Sequence, residues 1–391
     1  MRAVGSNPTP SANCMTYVII PAGGEGTRLR PYTESRAKPL VPVINNFPIL
    51  ELVLYALSYG AELKDFIFGV KGTKNYTDLQ NYFQGGSGWS AKLQLNPRVH
   101  FDYQNPNYTD TGNADSARYN IAAYNIKAPV IVCQSDNLFW GRDVSELYKH
   151  SIGSPYDFIV GLTYVDNAGH FGVAKLDKRS HKIAQFIEKP GEALKGGGLV
   201  NAGIYVIKPN AFAHLQGDFG KDVIPTLTRK GKVGGYMLEH PWYDFGNPHE
   251  HLASVLSLLK EPTPSFENFL SRVCTEYKTG RARVWLRGKS SLSLKRAVAI
   301  IRKIEAGKIS VAGTVFIGKD SVIENGVALT DCAIGDLAVV GSGCTICRSN
   351  ILDAWQIGRD CQIYDSFLGR GGVVANDRLI KGQFLGDHST L

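Results

Sequence analysis

The chain has 391 residues, 43 of them Lys or Arg and 35 Asp or Glu, for a formal net charge of +8. No stretch approaches the ~20 apolar residues that cross a membrane. The basic residues are spread along the chain rather than gathered into a nucleic-acid patch, so the positive excess points to anionic small-molecule substrates.

Residues 1–14 lack the apolar core of a signal peptide. Gly5-Ser6-Asn7-Pro8 is what GGT-TCG-AAT-CC encodes, the T-arm consensus of a transfer RNA gene. This segment therefore reads as a non-native extension, with Met15 as the expected start. Tyr17 to Ile20 is an apolar strand that runs into Ala22-Gly23-Gly24-Glu25-Gly26-Thr27-Arg28-Leu29-Arg30-Pro31. Three glycines in four residues let a backbone approach a bound group and aim its N–H groups at it. Arg28 and the nearby Lys38 add positive charge, so the segment describes a polyphosphate pocket at a strand end. It is not a P-loop, because no Gly-Lys-Ser/Thr closes it. Nor is it the dinucleotide fingerprint: counted from Gly24, Leu29 stands where the third glycine belongs.

Downstream, Ile49 to Tyr59 reads as a helix, Phe66 to Val70 as a strand and Ser116 to Tyr124 as a helix. Val130 to Cys133, Phe158 to Thr163 and Ile204 to Ile207 read as further strands. Continuous apolar strands separated by helices predict a mainly parallel sheet covered on both faces. Ligands then sit beyond the carboxyl ends of the strands, where the glycine loop and Asp136 both fall. Glu261 to Ser265 is a turn-rich break. After it, Leu294, Ala297, Val298, Ile301 and Ile304 form one helical stripe. Lys295, Arg296, Arg302 and Lys303 lie mostly between those positions, as on the solvated face of a packed helix.

From Val311 the pattern becomes a hexapeptide repeat, with copies starting at Ile317, Ile323, Ile334, Val340 and Ile357. Such repeats wind a left-handed parallel β-helix, each coil burying its aliphatic residue against the next. Cys344 and Cys361 hold the small fifth position and are explained by packing; the seven cysteines of the chain do not make a disulfide framework. Cys344 and Cys347 have metal-ligand spacing but no second pair accompanies them. Residues 311–374 contain no histidine to serve as the base of an acyl transfer. The repeat is read as serving assembly between subunits or packing onto the first domain.

At Gly23-Gly24-x-Gly26-Thr27-Arg28-Leu29-x-Pro31 and Lys38-Pro39-Leu40-x-Pro42 the chain resembles the sugar-1-phosphate nucleotidyltransferases, also called nucleoside-diphosphate-sugar pyrophosphorylases. The resemblance spans Met15 to Leu259. It implies an α/β fold with a mainly parallel Rossmann-like sheet, and a C-terminal β-helix recurs in several branches of the family. The expected domains are a catalytic unit over 15–260, a linker with an amphipathic helix over 261–310, the β-helix over 311–375 and a tail over 376–391.

Read by chemistry alone, Asp136 at the end of a buried strand could hold Mg²⁺ against phosphates or cap a helix, and Asp244 could be a turn aspartate. The resemblance implies that both are metal ligands. It further implies that Arg28 neutralises the pyrophosphate side and Lys38 the α-phosphate, with Gly23, Gly24, Gly26, Thr27, Gln104 and Gly112 at the nucleotide. Lys189 of Glu188-Lys189-Pro190 would hold the sugar phosphate, with Gly172, Glu188 and Asn201 at the sugar. The implied partners are a nucleoside triphosphate and a sugar 1-phosphate, with neither nucleic acid nor membrane. The implied protein is a cytoplasmic homo-oligomer assembled through the β-helix. Thymidylyl or uridylyl transfer to glucose 1-phosphate leads. Guanylyl transfer to mannose 1-phosphate, or a catalytically silent regulatory subunit, is the alternative. Three departures stand out. Asn113 and Asp115 interrupt the usual Gly-Thr-Ala loop at Gly112, Asn247 replaces a common Thr, and Ser135 stands where Gly often precedes the aspartate.

Overall fold

The computed structural model describes residues 16–83, 88–95, 98–104, 112–191, 196–288 and 291–391. The expected extension 1–14 and the start at Met15 lie outside the described residues, as does the side chain of Gln104.

Strand β1 (Tyr17–Pro21) is the spine of a nine-stranded sheet. The first hairpin, β2 (Pro42–Ile44) with β3 (Phe47–Pro48), leads into helix α1 (Ile49–Ala61), which is buried along most of its length. Strands β4 (Asp65–Lys71), β5 (Arg98–Gln104) and β6 (Val130–Cys133) run parallel to β1 in the order β6-β1-β4-β5. Helices α2 (Thr73–Phe83), α3 (Trp89–Lys92) and α4 (Asn113–Ala123) fall between these strands. Because the four strands are parallel, their carboxyl ends share one edge. The glycine loop, the start of α2 and Asp136 therefore all lie at that edge.

Beyond β6 the sheet changes direction. After the short β7 (Asn137–Leu138) and helix α5 (Gly141–Gly153) come β8 (Phe158–Val165), β9 (Gly172–Leu176), β10 (Ile183–Glu188) and β11 (Gly198–Ile207). Strand β11 runs antiparallel to both β6 and β8. Its register slips between Asn201 and Tyr205, a bulge of the kind that re-aims side chains. Helix α6 (Ile224–Arg229) leads to β12 (Val233–Met237), parallel to β8. Then β13 (Tyr243–Asp244) pairs with β7, and α7 (Pro248–Lys260) and α8 (Pro264–Val273) follow.

Residues 274–287 form a hairpin, β14 (Cys274–Thr279) and β15 (Ala282–Arg287), that joins the β-helix sheet: β15 runs parallel to β16 (Ile309–Ile317), the first β-helix strand. Helix α9 (Ser291–Glu305) packs on it through Ala297, Ile300 and Ile304. The expected stripe is rotated: Leu294 and Val298 are exposed, while Ile300 is buried. Two of the basic residues of α9 brace the β-helix. Arg296 donates to the Asp320 carbonyl at 2.9 Å and Lys303 to that of Ile323 at 2.7 Å.

The β-helix repeats every 17 residues, as in the pairings Ala328 with Thr345 and Thr345 with Gln362. It runs on into residues 376–391, expected as a tail: Leu379 to Lys381 stack on Gln362 to Tyr364, and Phe384 and Leu385 on Phe367 and Leu368. The buried aliphatic residues Ile317, Ile323, Leu329 and Ile334 step by six, six and five, and Ile334, Val340, Ile346 and Ile351 step likewise. One face docks on the first domain. Phe316, Ala333, Leu352 and Phe367 belong to the same buried cluster as Val43, Phe47, Tyr55 of α1, and Leu252 and Val255 of α7. Among the described residues no helix is long and apolar enough to cross a membrane.

Candidate active site

The glycine loop leaves β1 with the Ala22 N–H bonded to the Gly69 carbonyl at 2.8 Å, and a Cβ on Gly23 would stand 2.6 Å from that of Lys71. Gly26 has φ +69°, and a side chain there would also press on Thr33 and Lys38, so this position requires glycine. Thr27–Leu29 form a single 3₁₀ turn that leaves Thr27 and Arg28 exposed and buries Leu29. The Thr33 hydroxyl closes the loop by donating to the Gly26 carbonyl at 2.9 Å. A second 3₁₀ turn begins at Lys38.

Lys38 Nζ forms an ion pair with Asp136 Oδ2, and both side chains are largely buried. Burial opposes ionisation of Asp136. Lys38, and behind it Arg28, outweigh burial and hold the carboxyl below its usual range. Asp244 stands beside it on the β7–β13 pair, where Asn137 is its register partner. Its Oδ1 accepts from Asn137 Nδ2 at 3.0 Å and from the Gly246 N–H at 3.1 Å. Burial, then the negative Asp136, push Asp244 up to about 7. Two carboxyl groups that repel each other in a largely buried site, with oxygen as their only donor atoms, suit a hard divalent cation. Among the described residues no group of three or more His, Cys, Asp or Glu side chains gathers as a metal set.

On the opposite flank, Glu188 and Gly172 are register partners on β10 and β9. Cβ atoms built on Gly172 and Gly220 would lie 2.6 and 2.4 Å from Glu188 Oε2, so both glycines are in close contact with that carboxylate. Lys189 is half exposed at φ +46°, its Nζ 3.5 Å from Glu188 Oε1. Asn201 stands at the β11 bulge. Its Oδ1 accepts from the Gly203 N–H at 2.9 Å and its Nδ2 donates to the Tyr205 hydroxyl at 2.8 Å. Gly203, at φ +75°, ties the two flanks together, because a Cβ there would meet Asn137 Oδ1 at 2.4 Å and Gln134 Cγ at 2.9 Å. Trp242 adds a brace by donating to the Ala202 carbonyl at 3.0 Å.

Gly112 caps α4 and lies against Gly217, whose carbonyl accepts from Ala114 at 3.1 Å. The departures in this loop turn inward. Asn113 Oδ1 accepts from the Phe219 N–H at 2.8 Å, while the buried Asp115 accepts from the Gly112 N–H at 3.1 Å and pairs with Arg118. The carboxylate thus serves its own helix. Asn247 caps α7 by accepting from the Glu250 N–H at 3.0 Å, a role a threonine would also fill. Segment 217–220, which links Asn113 to Glu188, carries no sequence signal beyond two glycines.

Residues 17–261, more than half of the chain, match the family profile described as "Nucleotidyl transferase". The chain belongs to the nucleotidyl transferase family. It is 30% identical over 244 residues to the bifunctional protein GlmU of Methanococcus maripaludis, which covers 60% of this chain and 53% of that protein. It is 27% identical over 260 residues to a "Putative mannose-1-phosphate guanyltransferase" of Sulfolobus acidocaldarius, covering 66% of this chain and 67% of that one. This nucleotidyl transferase thus spans about half the length of the curated GlmU relatives it matches. A solved structure of HddC from Yersinia pseudotuberculosis complexed with GMP-PN shares the fold. The TM-score is 0.50 at 21% identity, with 62% of this chain and 98% of that one covered. The candidate site of this chain lies at the strand-end edge of its sheet, the place where ligands bind in open α/β folds.

Proposed function

We propose that this nucleotidyl transferase joins a nucleoside triphosphate to a sugar 1-phosphate, releasing pyrophosphate and a nucleoside-diphosphate sugar. The observation that carries the reading is the Lys38–Asp136–Asp244 cluster, set between the glycine loop and the Glu188-Lys189 flank. A phosphate oxygen of the sugar 1-phosphate attacks the α-phosphorus, the bond from that phosphorus to the bridging oxygen breaks, and pyrophosphate leaves with the electron pair. No covalent enzyme intermediate is needed, so the protein contributes positioning and charge.

Each residue then has a role. The backbone of Gly23 to Thr27 receives the triphosphate. A Cβ on Gly24 would meet nothing within 4 Å, so the space beside this glycine is open to the triphosphate. Arg28, exposed on its turn, draws the pyrophosphate oxygens. Lys38 neutralises the α-phosphate, Lys189 holds the attacking phosphate, and Asn201, Gly172 and Glu188 face the sugar. Gly112 stands at the nucleoside. Asp136 and Asp244 would hold Mg²⁺, which supplies charge neutralisation between the two phosphates.

Glucose 1-phosphate with dTTP or UTP is the leading pair. The name of the Sulfolobus relative, a mannose-1-phosphate guanyltransferase, favours mannose 1-phosphate with GTP as the second. The six described cysteines are all free, in keeping with a cytoplasmic protein. Exposed Val322, Val373 and Leu379 on the β-helix support self-association there, which size-exclusion with light scattering reads directly. Pyrophosphate release across a matrix of nucleoside triphosphates and sugar 1-phosphates tests the function. Release in a defined set of wells is expected, and none in any well would leave the silent-subunit reading instead.

A further inference from the structure

Segment 31–37 joins the glycine loop to Lys38 with almost no structure of its own: between the two 3₁₀ turns its internal backbone bonds are those of a turn at Pro31. It is held from outside on two sides. From its own domain, α2 supplies Lys74, which donates to the Thr33 and Glu34 carbonyls at 3.2 and 3.0 Å, and Asp78, which accepts from the Ala37 N–H at 2.8 Å. The other side is the β-helix. The Tyr32 ring is fully buried, stacks on Phe367 at 4.1 Å and donates its hydroxyl to the Phe367 carbonyl at 2.7 Å. Ser35 donates to Asp387 Oδ2 at 3.0 Å, and the Arg36 guanidinium pairs with the same oxygen.

Asp387 is itself fixed. Its Oδ1 accepts from the Arg370 N–H at 2.8 Å, just as Asp336 and Asp353 accept from the N–H groups 17 residues before them. The Arg36 and Asp387 side chains are 15% and 12% exposed, so the pair is desolvated. Burial disfavours the Arg36 cation, and Asp387 is the charge that offsets it. Arg36 lies two residues before Lys38, whereas Asp387 lies 351 positions away in another domain.

We propose that Asp387 of the β-helix is a positioning residue for nucleotidyl transfer: by holding Arg36 and Ser35 it sets the segment that presents Lys38 to the nucleotide. The inference rests on the proposed role of Lys38, and it makes the β-helix part of the nucleotide half of the site. The sugar flank, on β9, β10 and β11, has no such contact among the described residues.

Asp387→Ala and the conservative Asp387→Glu test it in the full chain, with circular dichroism and thermal unfolding as folding controls. For Asp387→Ala the KM for the nucleoside triphosphate should rise about tenfold, within the range of ordinary site coupling. The KM for the sugar 1-phosphate should stay within about twofold, and Asp387→Glu should recover most of the loss. Equilibrium titration with ATP, GTP, UTP and dTTP in turn, without the second substrate, should show the same weakening for whichever binds wild type. A fall in kcat or in active fraction with the nucleotide KM and affinity unchanged would overturn the proposal, since that is what loss of a merely structural contact produces. So would equal rises in both KM values. The binding arm separates the two inferences. Absence of pyrophosphate release by wild type overturns the proposed reaction, while nucleotide affinity unaltered by Asp387→Ala overturns the positioning role.

Discussion

His251 offers a test of how the two domains are joined. It lies on α7 with no exposed surface, stacks on Phe367 at 4.7 Å, and has Nε2 3.0 Å from the Pro42 carbonyl. A carbonyl only accepts, so Nε2 carries the proton and the ring is neutral, with Nδ1 buried and unbonded among the described atoms. Burial pushes this imidazole down to about 3. In the unfolded chain it titrates near an ordinary ~6.5. Below that pH the unfolded state takes up a proton that the folded state refuses. Stability from this group is therefore complete above about 6.5 and is lost as pH falls toward about 3. At pH 5 the deficit is about 1.5 pH units at ~1.4 kcal/mol each, or about 2 kcal/mol. His251→Gln keeps a donor for Pro42 and cannot titrate. Urea unfolding at pH 7.5 and pH 5 should show wild type losing about 2 kcal/mol more than the variant, other titrating groups cancelling in the comparison. Equal losses, to within about 0.5 kcal/mol, would refute the picture of a neutral histidine sealed between the domains.

Three further outcomes follow from the site. Asp136→Asn should lower pyrophosphate release by about 10³-fold. Its thermal midpoint should hardly move, because loss of a full charge opposite Lys38 is offset by relief of the repulsion on Asp244. Gly203→Ala should destabilise by about 1–3 kcal/mol in chemical denaturation, since alanine is strained at φ +75° and its methyl would meet Asn137 Oδ1 at 2.4 Å. Asn113→Ala should raise the KM for the sugar 1-phosphate several-fold and leave the ranking of bases unchanged, because its carboxamide holds the Phe219 N–H and the adjoining Gly220 lies against Glu188. A reversal of base preference in Asn113→Ala would show that the side chain faces the nucleoside after all.

Much of the sheet and the glycine loop can be read from the sequence because both are local signals: an apolar strand, then glycines whose spacing reflects backbone approach. The parallel centre β6-β1-β4-β5 follows from buried strands separated by helices. The reversal at β11 does not, because Ile204 to Ile207 is equally apolar in either direction; only the Ala202-Gly203 bulge marks where it re-aims Asn201. The inward turn of Asn113 and Asp115 is hidden for a related reason. Sequence shows which polar groups a loop carries, whereas Phe219 and Arg118, which bind them, come from 106 residues away and from the next helical turn.

The β-helix shows that a domain contact can itself have a period. The inward row Ile317, Ile334, Ile351 and Leu368 is buried, as any coil core is. Its outward neighbours Phe316, Ala333, Asn350 and Phe367 are buried too. An apolar outward row at the coil period means that the face is covered, and the one polar member explains itself by donating Nδ2 to the Val43 carbonyl at 2.8 Å. The adjacent corner repeats Asp336, Asp353, Arg370 and Asp387 at the same spacing, and three of the four reach toward the catalytic domain: Asp336 and Asp353 to Asn45, and Asp387 to Arg36. Reading the repeat as six-residue units conceals both rows, because the third unit is one residue short and the frame slips once per turn. Counted in 17s, the same residues show a solenoid whose side is shaped to the segment between the glycine loop and α1. That packing sets the β-helix directly against the segment that leads to Lys38.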